Sequence, residues 1–114
     1  MLTEKTITKG FQDYTKFNTL YCSAFPKAER LPIQFLMNQE IDAALTACYD
    51  GETFCGFYST LTFKDITHIL FLAVDDTLRG HGYGSDFLEL ISQRYPDNRI
   101  ILDIEAEDPT APNC

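Results

Sequence analysis

The residues best suited to chemistry lie in the segment Arg79–Ser85, where three glycines alternate with other residues. Glycine lets the backbone turn tightly and approach a ligand closely. From Tyr83 onward apolar residues fall at helical spacing, so the glycines come directly before a predicted helix. The unpaired N–H groups and the dipole at a helix N-terminus favour negative charge. The segment therefore predicts an anion site, to which Arg79 adds a cationic side chain.

Two general phosphate-binding patterns fit this segment poorly. A P-loop requires Gly-Lys followed by Ser or Thr, whereas Ser85 and Asp86 follow the last glycine here. A dinucleotide-binding loop has the pattern GxGxxG, of which two glycines match, and Asp103 or Glu105 lies near the expected ribose-binding distance. However, Asp75–Arg79 separates the predicted strand from the first glycine, whereas a dinucleotide turn follows its strand directly.

Composition excludes several classes of protein. The chain has 114 residues, 45% of them hydrophobic, which suits one globular domain. Its net charge of -8, with no cluster of Lys or Arg, argues against nucleic acid as a partner and weakly permits a cationic substrate such as an amine. The N-terminus lacks the apolar core of a signal peptide and no apolar run has membrane-spanning length, so we expect a cytoplasmic protein without membrane contact.

No metal site is predicted. The four cysteines form no CxxC pair and no metal-binding spacing with histidine. His68 stands among apolar neighbours at the start of a predicted strand, which is more typical of a structural histidine than of a ligand.

The elements that must position the glycine segment can be read in order along the chain. Helical or alternating apolar patterns, bounded by Gly, Pro and Asp, mark each of them. The predicted elements are a strand over Leu2–Thr8, a helix over Phe11–Phe25 with an aromatic stripe, a polar link over Lys27–Arg30, a helix from Pro32 to about Gln39, strands over Asp42–Tyr49, Thr53–Phe63 and Ile69–Val74, a helix over Tyr83–Tyr95 and a strand over Arg99–Glu105.

Short turns join the middle three strands, so these should pair antiparallel. The strand–helix–strand unit at the end is a right-handed crossover, which makes its two strands parallel. The sequence therefore predicts an α/β domain over residues 1–105 with a mixed sheet, followed by a polar tail over residues 106–114.

The hairpin around Asp50-Gly51-Glu52 leaves two registers open. A turn at Asp50-Gly51 places Cys48 opposite Thr53. A turn at Gly51-Glu52 places Cys48 opposite Cys55, where a disulfide bridge becomes conceivable.

The run LAVDDTLRGHGYGS resembles motif A of the GNAT family of acetyltransferases. That motif is Gln or Arg, two residues, Gly, one residue, then Gly or Ala, and Arg79, Gly82 and Gly84 fill its fixed places. The order of predicted elements is also similar to that family over nearly the whole chain. The resemblance implies helices on both faces of the sheet, and a domain that lacks the family's last helix and closing hairpin.

Acetyl-coenzyme A is the cofactor that the resemblance implies. Its pyrophosphate would bind the N–H groups of the glycine segment, and its pantetheine arm would lie along the buried strand where the two parallel strands splay apart. The implied cofactor-binding residues are Leu72, Ala73, Val74, Arg79, Gly80, His81, Gly82, Tyr83, Gly84 and Ser85.

The resemblance implies an N-acetyltransferase acting on a small-molecule or peptide amine. Glu105 ends the last predicted strand near the implied acetyl position, where it could deprotonate the amine or remain a solvated carboxylate. His81 occupies a variable motif position at which the backbone matters more than the side chain. The alternative function is a truncated, non-catalytic module that binds coenzyme A or another chain, and a homodimer could cover the exposed sheet edge.

Overall fold

The computed structural model describes residues 2–102, which form five strands and three α-helices. Three short 3₁₀ turns connect them, at Lys27–Glu29, Gln39–Ile41 and Asp76–Leu78. In chain order the main elements are β1 (Leu2–Thr6), α1 (Tyr14–Ala24), α2 (Ile33–Leu36), β2 (Ala43–Asp50), β3 (Thr53–Phe63), β4 (Ile66–Val74), α3 (Tyr83–Arg94) and β5 (Arg99–Leu102).

The strands form one sheet in the order β1-β2-β3-β4-β5. Neighbouring strands from β1 to β4 are antiparallel, and β4 pairs with β5 in parallel. The predicted mixed sheet is therefore confirmed. Four elements differ from prediction by two residues or more: β1 ends at Thr6 instead of Thr8, α1 begins at Tyr14 instead of Phe11, α2 is a single turn that ends at Leu36, and β4 begins at Ile66 instead of Ile69. Buried Thr67 explains the longer strand, because its hydroxyl lies 3.0 Å from that of Thr62 on β3.

Helices cover both faces of the sheet, as the resemblance implies. On one face the aromatic stripe of α1 packs on β3 and β4: the Phe17 ring meets Phe57 edge-on at 4.8 Å, and the Tyr21 ring meets Phe71 at 5.1 Å. On the other face Phe87 of α3, completely buried, belongs to a second apolar cluster. β4 thus lies between two apolar layers, as its unbroken run of large side chains predicts.

The hairpin between β2 and β3 turns at Gly51-Glu52, because Asp50 pairs with Thr53. The register then shifts by one residue, so that Cys48 pairs with Gly56 and Cys55 occupies a β-bulge. Neither of the two hairpin registers that the sequence left undecided is therefore fully correct. Cys48 and Cys55 are both buried and free. Burial, and secondarily the Glu4 carboxylate, raises the pKa of the Cys48 thiol, which keeps it protonated and unreactive at neutral pH.

Gly56, next to this bulge, allows β3 to approach β4 closely. It has a φ of 152°, and a Cβ added to it would lie 2.1 Å from the Ala73 carbonyl oxygen and 2.9 Å from the Phe87 ring. The clash with a backbone oxygen cannot be relieved by side-chain rotation. Glycine at this position is therefore a condition for packing α3 and β4 on β3.

We expect Gly56→Ala to destabilise the fold by about 3 kcal/mol or more, since it combines backbone strain with a steric clash. Gly51→Ala is the matched control, because Gly51 also has a positive φ, of 64°, but its Cβ would meet nothing within 4 Å. That variant should lose only about 1 kcal/mol. Urea unfolding followed by circular dichroism measures both, and equal losses would contradict the role given to Gly56.

Candidate active site

The N-terminus of α3 presents backbone donors that no capping side chain occupies. Its N-cap is Gly82, which is left-handed with a φ of 82° and has no side chain to accept a hydrogen bond. The first bond inside the helix runs from the Asp86 N–H to the Gly82 carbonyl. The N–H groups of the segment Tyr83–Ser85 precede that bond, so they are the free donors that a helix N-terminus offers to an anion.

Local hydrogen bonds order the loop between β4 and α3. The Asp75 carboxylate accepts from the Thr77 N–H at 2.9 Å and from its hydroxyl at 2.7 Å. Arg79 forms an ion pair with Asp76 at 2.8 Å. The His81 Nδ1 lies 2.8 Å from the Leu78 carbonyl oxygen. Since a carbonyl can only accept, that nitrogen carries the proton, and the hydrogen bond from the imidazole stabilises the loop.

A phenol connects the start of α3 to the β2–β3 hairpin. The Tyr83 hydroxyl donates to the Asp50 carboxylate at 2.7 Å, which raises the pKa of Tyr83 to about 12, with a smaller contribution from burial. A cavity of about 330 Å³ beside this pair is bordered by Asp50, Asp86 and Glu89. Its acidic border disfavours an anion, so the opposite side of the helix start, toward Val74, is the better anion site.

A bulge interrupts the second half of β4. Up to Leu102, the last described residue of β5, the two parallel strands pair over Ile66–Ile69, and Leu70 is a bulge in the ladder with β3. The separation of the parallel strands that the resemblance implies concerns the residues after Leu102, and it stays a prediction.

The direction of the backbone N–H and C=O groups decides which β4 residues could bind a ligand on the side away from β3. The Asp75 N–H donates to the Cys55 carbonyl at 2.8 Å, so Asp75 faces β3. Residues alternate along a strand, which turns Ala73 toward β3 as well and directs the polar groups of Leu72 and Val74 outward. Of the three predicted strand residues, Leu72 and Val74 have outward backbone groups, and Ala73 is engaged with β3.

The end of β4 and the start of α3 lie against each other. A Cβ added to Gly84 would be 4.0 Å from the Val74 side chain. The structure thus brings the strand residues and the glycine segment to one place, as an extended ligand with one anionic end requires. Glu105 and Asp103 lie outside the described residues, so the role of Glu105 as a base stays a prediction.

The C-terminal end of α3 is held by a polar network that the sequence analysis missed. The hydroxyl of fully buried Tyr58 donates to the Glu4 carboxylate. Arg94 donates to Tyr58 at 3.4 Å and to Thr46 at 3.3 Å. Burial and the Glu4 hydrogen bond raise the pKa of Tyr58, so it stays a neutral donor. The residues of this polar network come from β1, β2, β3 and α3, so no local sequence pattern could predict that they lie together.

The described residues contain neither a metal-binding cluster nor a membrane-spanning helix. No group of three or more His, Cys, Asp or Glu side chains among them could hold a metal ion. None of the helices in residues 2–102 is long and apolar enough to cross a membrane.

Comparison with known proteins identifies the family. The model of the acetyltransferase (GNAT) family matches residues 11–113, which is most of the chain. The protein therefore belongs to the GNAT family of acetyltransferases. No sequence match was found among curated proteins.

Solved structures share the fold. A GNAT family protein from Bacteroides thetaiotaomicron is 22% identical, with a TM-score of 0.75 over 96% of this chain and 62% of that one. The ribosomal-protein-S18-alanine N-acetyltransferase from Escherichia coli is 19% identical, with a TM-score of 0.62 over 83% and 59%. A GNAT family acetyltransferase from Elizabethkingia anophelis with acetyl-CoA bound is 16% identical, with a TM-score of 0.61 over 89% and 63%. The chain spans about 60% of the length of these structures.

The Tyr83–Asp50 contact predicts a measurable titration. Because the Asp50 carboxylate accepts from the neutral phenol and repels the phenolate, Asp50→Asn should lower the pKa of Tyr83 from about 12 to near its ordinary value of about 10. Asp86→Asn is the control, since Asp86 borders the same cavity and should leave the pKa of Tyr83 near its starting value. Carbon-13 NMR of the tyrosine Cζ resonances follows the titration, and Tyr83→Phe identifies the signal. An unchanged titration in Asp50→Asn would contradict the contact.

Proposed function

We propose that this protein is an N-acetyltransferase that uses acetyl-coenzyme A to acetylate a primary amine. One observation carries the proposal: the free N–H donors at the start of α3 adjoin the outward backbone edge of β4. The first feature suits a pyrophosphate, and the second suits an extended pantetheine chain that hydrogen-bonds like an added strand. Membership of the GNAT family supports the same cofactor.

The bound coenzyme would supply an acetyl thioester to the site. The N–H groups of the segment Tyr83–Ser85 and the dipole of α3 would hold the pyrophosphate. Outward groups of Leu72 and Val74 would align the arm, so that the acetyl group lies farther along the strand toward the Leu70 bulge. A bulge leaves one residue out of the ladder, which makes backbone donors available to the thioester oxygen.

Direct transfer of the acetyl group to the amine depends more on how the protein positions the two reactants than on a covalent step with the protein. The amine nitrogen forms a bond to the acetyl carbon while the carbon–sulfur bond breaks, and the thiolate takes up a proton as coenzyme A leaves. The amine must lose a proton for this attack. Glu105 is the proposed acceptor of that proton, directly or through water, on the basis of the family resemblance.

Two measurements test the proposed function. Isothermal titration with acetyl-coenzyme A should show one site per chain, and a panel of primary amines should show release of free thiol that depends on the amine. Binding without thiol release would favour the alternative, a non-catalytic module that binds coenzyme A. Absence of binding would overturn the cofactor assignment.

We expect Gly82→Glu to weaken acetyl-coenzyme A binding at least about tenfold, because it brings a carboxylate to the proposed pyrophosphate site. Gly82→Ala is the matched control: it imposes the same left-handed strain, from a φ of 82°, but adds no charge. A third variant, Gly10→Glu, adds the same charge at an open turn of β1–α1, where a Cβ would meet nothing within 4 Å.

Titration calorimetry should show a much lower affinity for acetyl-coenzyme A in Gly82→Glu than in either control. Thermal unfolding confirms that each variant folds. Equal affinity in Gly82→Glu and Gly82→Ala would exclude an anion site at the start of α3.

A further inference from the structure

Another cavity, which we call the Lys9–Arg94 cavity, lies where β1 ends and β2 begins, beside the last residue of α3. Its volume is about 280 Å³. Sites for small molecules begin at about 300 Å³, so this cavity suits a small ligand. All of its lining residues lie within residues 2–102, and the polar ones are Thr6, Thr8, Lys9, Gln39, Thr46 and Arg94.

The charge of the Lys9–Arg94 cavity is opposite to that of the protein. The chain has a net charge of -8, yet two cations and no Asp or Glu are among the residues that line this cavity. An adjoining cavity shares Arg94 but is also lined by Asp42, so it lacks this excess of positive charge. Like charges around one space repel each other, and an anion between them removes that repulsion. The lining therefore favours an anionic ligand.

Hydrogen bonds to neutral hydroxyls hold the Arg94 guanidinium at the cavity. Its Nη1 donates to the Thr46 hydroxyl at 3.3 Å and to the Tyr58 hydroxyl at 3.4 Å, and Thr46 itself lines the cavity. Thr46 and Tyr58 are buried, whereas 40% of the Arg94 side chain is exposed. The guanidinium is thus positioned by the protein and accessible to a ligand.

Lys9 makes the cavity net positive. The Glu4 carboxylate lies 3.9 Å from the Arg94 Nη1 and offsets part of its charge, although Glu4 does not line the cavity. Arg94 also ends α3, and the C-terminal dipole of a helix amounts to about half a negative charge. Because these two effects act mainly on Arg94, the exposed ammonium of Lys9 is the charge on which anion binding depends.

We propose that the Lys9–Arg94 cavity binds the phosphate group of a small phosphate ester. Its exposed donors come from three segments: Thr8 and Lys9 after β1, Gln39 before β2 and Arg94 at the end of α3. A phosphate presents three acceptor oxygens that point in different directions, whereas the two oxygens of a carboxylate lie in one plane. Arginine can bind phosphate through two parallel hydrogen bonds, and lysine adds a point charge.

This site is separate from the proposed coenzyme site. The 12 residues of α3 lie between the two, which corresponds to about 18 Å at the rise of an α-helix. The inference therefore adds a second ligand and does not depend on the proposed function.

Nitrogen-15 NMR of the backbone amides tests the inference. Glycerol 3-phosphate, titrated to about 10 mM to cover millimolar affinities, should give saturable shifts at the cavity residues Lys9, Gln39 and Ala44. Glycerol and acetate, which lack the phosphate, should leave these signals in place. Inorganic phosphate should shift the same signals with a lower affinity, because it lacks the contacts of the organic group.

Variants separate recognition from general charge. Lys9→Gln should weaken glycerol 3-phosphate binding at least about fivefold, and Arg94→Lys should do the same because it keeps the charge but loses the fork. Lys16→Gln is the matched control: Lys16 is 64% exposed and does not line the cavity, so its loss should change binding less than about twofold. Lys9 is exposed, so its variant should keep the fold, which thermal unfolding confirms.

Four outcomes overturn the inference. Glycerol 3-phosphate gives no saturable shift at the cavity residues, or shifts only the signals of the segment Tyr83–Ser85. Lys9→Gln and Lys16→Gln weaken binding equally, which would reduce the effect to general charge. Acetate binds as tightly as glycerol 3-phosphate, which would refute the phosphate. Inorganic phosphate binds more tightly than the ester, which would refute the organic group.

Discussion

The pairing of β4 with β3 is the interaction on which the proposed site depends, because it sets the direction of every backbone group on β4. The Asp75 N–H donates to the Cys55 carbonyl, so the polar groups of Leu72 and Val74 point away from β3. These outward groups lie beside the start of α3, where a Cβ on Gly84 would be 4.0 Å from the Val74 side chain. In the proposed function an extended ligand hydrogen-bonds to them like an added strand.

α3 must hold its position beside these groups for the site to work, and it is attached to the sheet at both ends. At its start Tyr83 donates to Asp50 of the hairpin, and at its end Arg94 contacts buried Tyr58. Exposed contacts such as the first contribute little to stability, but they restrict rotation of the helix. Directional N–H donors require such restriction, because their hydrogen bonds weaken steeply with misalignment. Close packing over Gly56 supplies the remaining constraint.

Periodicity predicted most of the architecture, because burial of an apolar stripe dominates the placement of long elements. The alternating and helical patterns predicted the strands and the aromatic face of α1, and short turns together with the crossover rule predicted the change from antiparallel to parallel pairing. The bulges at Cys55 and Leu70 could not be predicted, because a one-residue insertion depends on the packing of both partner strands. The same limit applies to Tyr83–Asp50, since its two residues are 33 positions apart and neither has a distinctive local pattern.

The predicted anion site lies in an acidic neighbourhood, and this determines how it can bind. Asp75 is engaged with Thr77, Asp76 is paired with Arg79, and Asp86 lies in the first turn of α3. The ion pair leaves little net positive charge on the loop, so long-range attraction of an anion is weak. Short hydrogen bonds from backbone N–H groups must then provide the affinity, and they act only on a group that fits between the helix start and Val74. The acidic surroundings thus favour a shaped ligand with a pyrophosphate over a free inorganic anion.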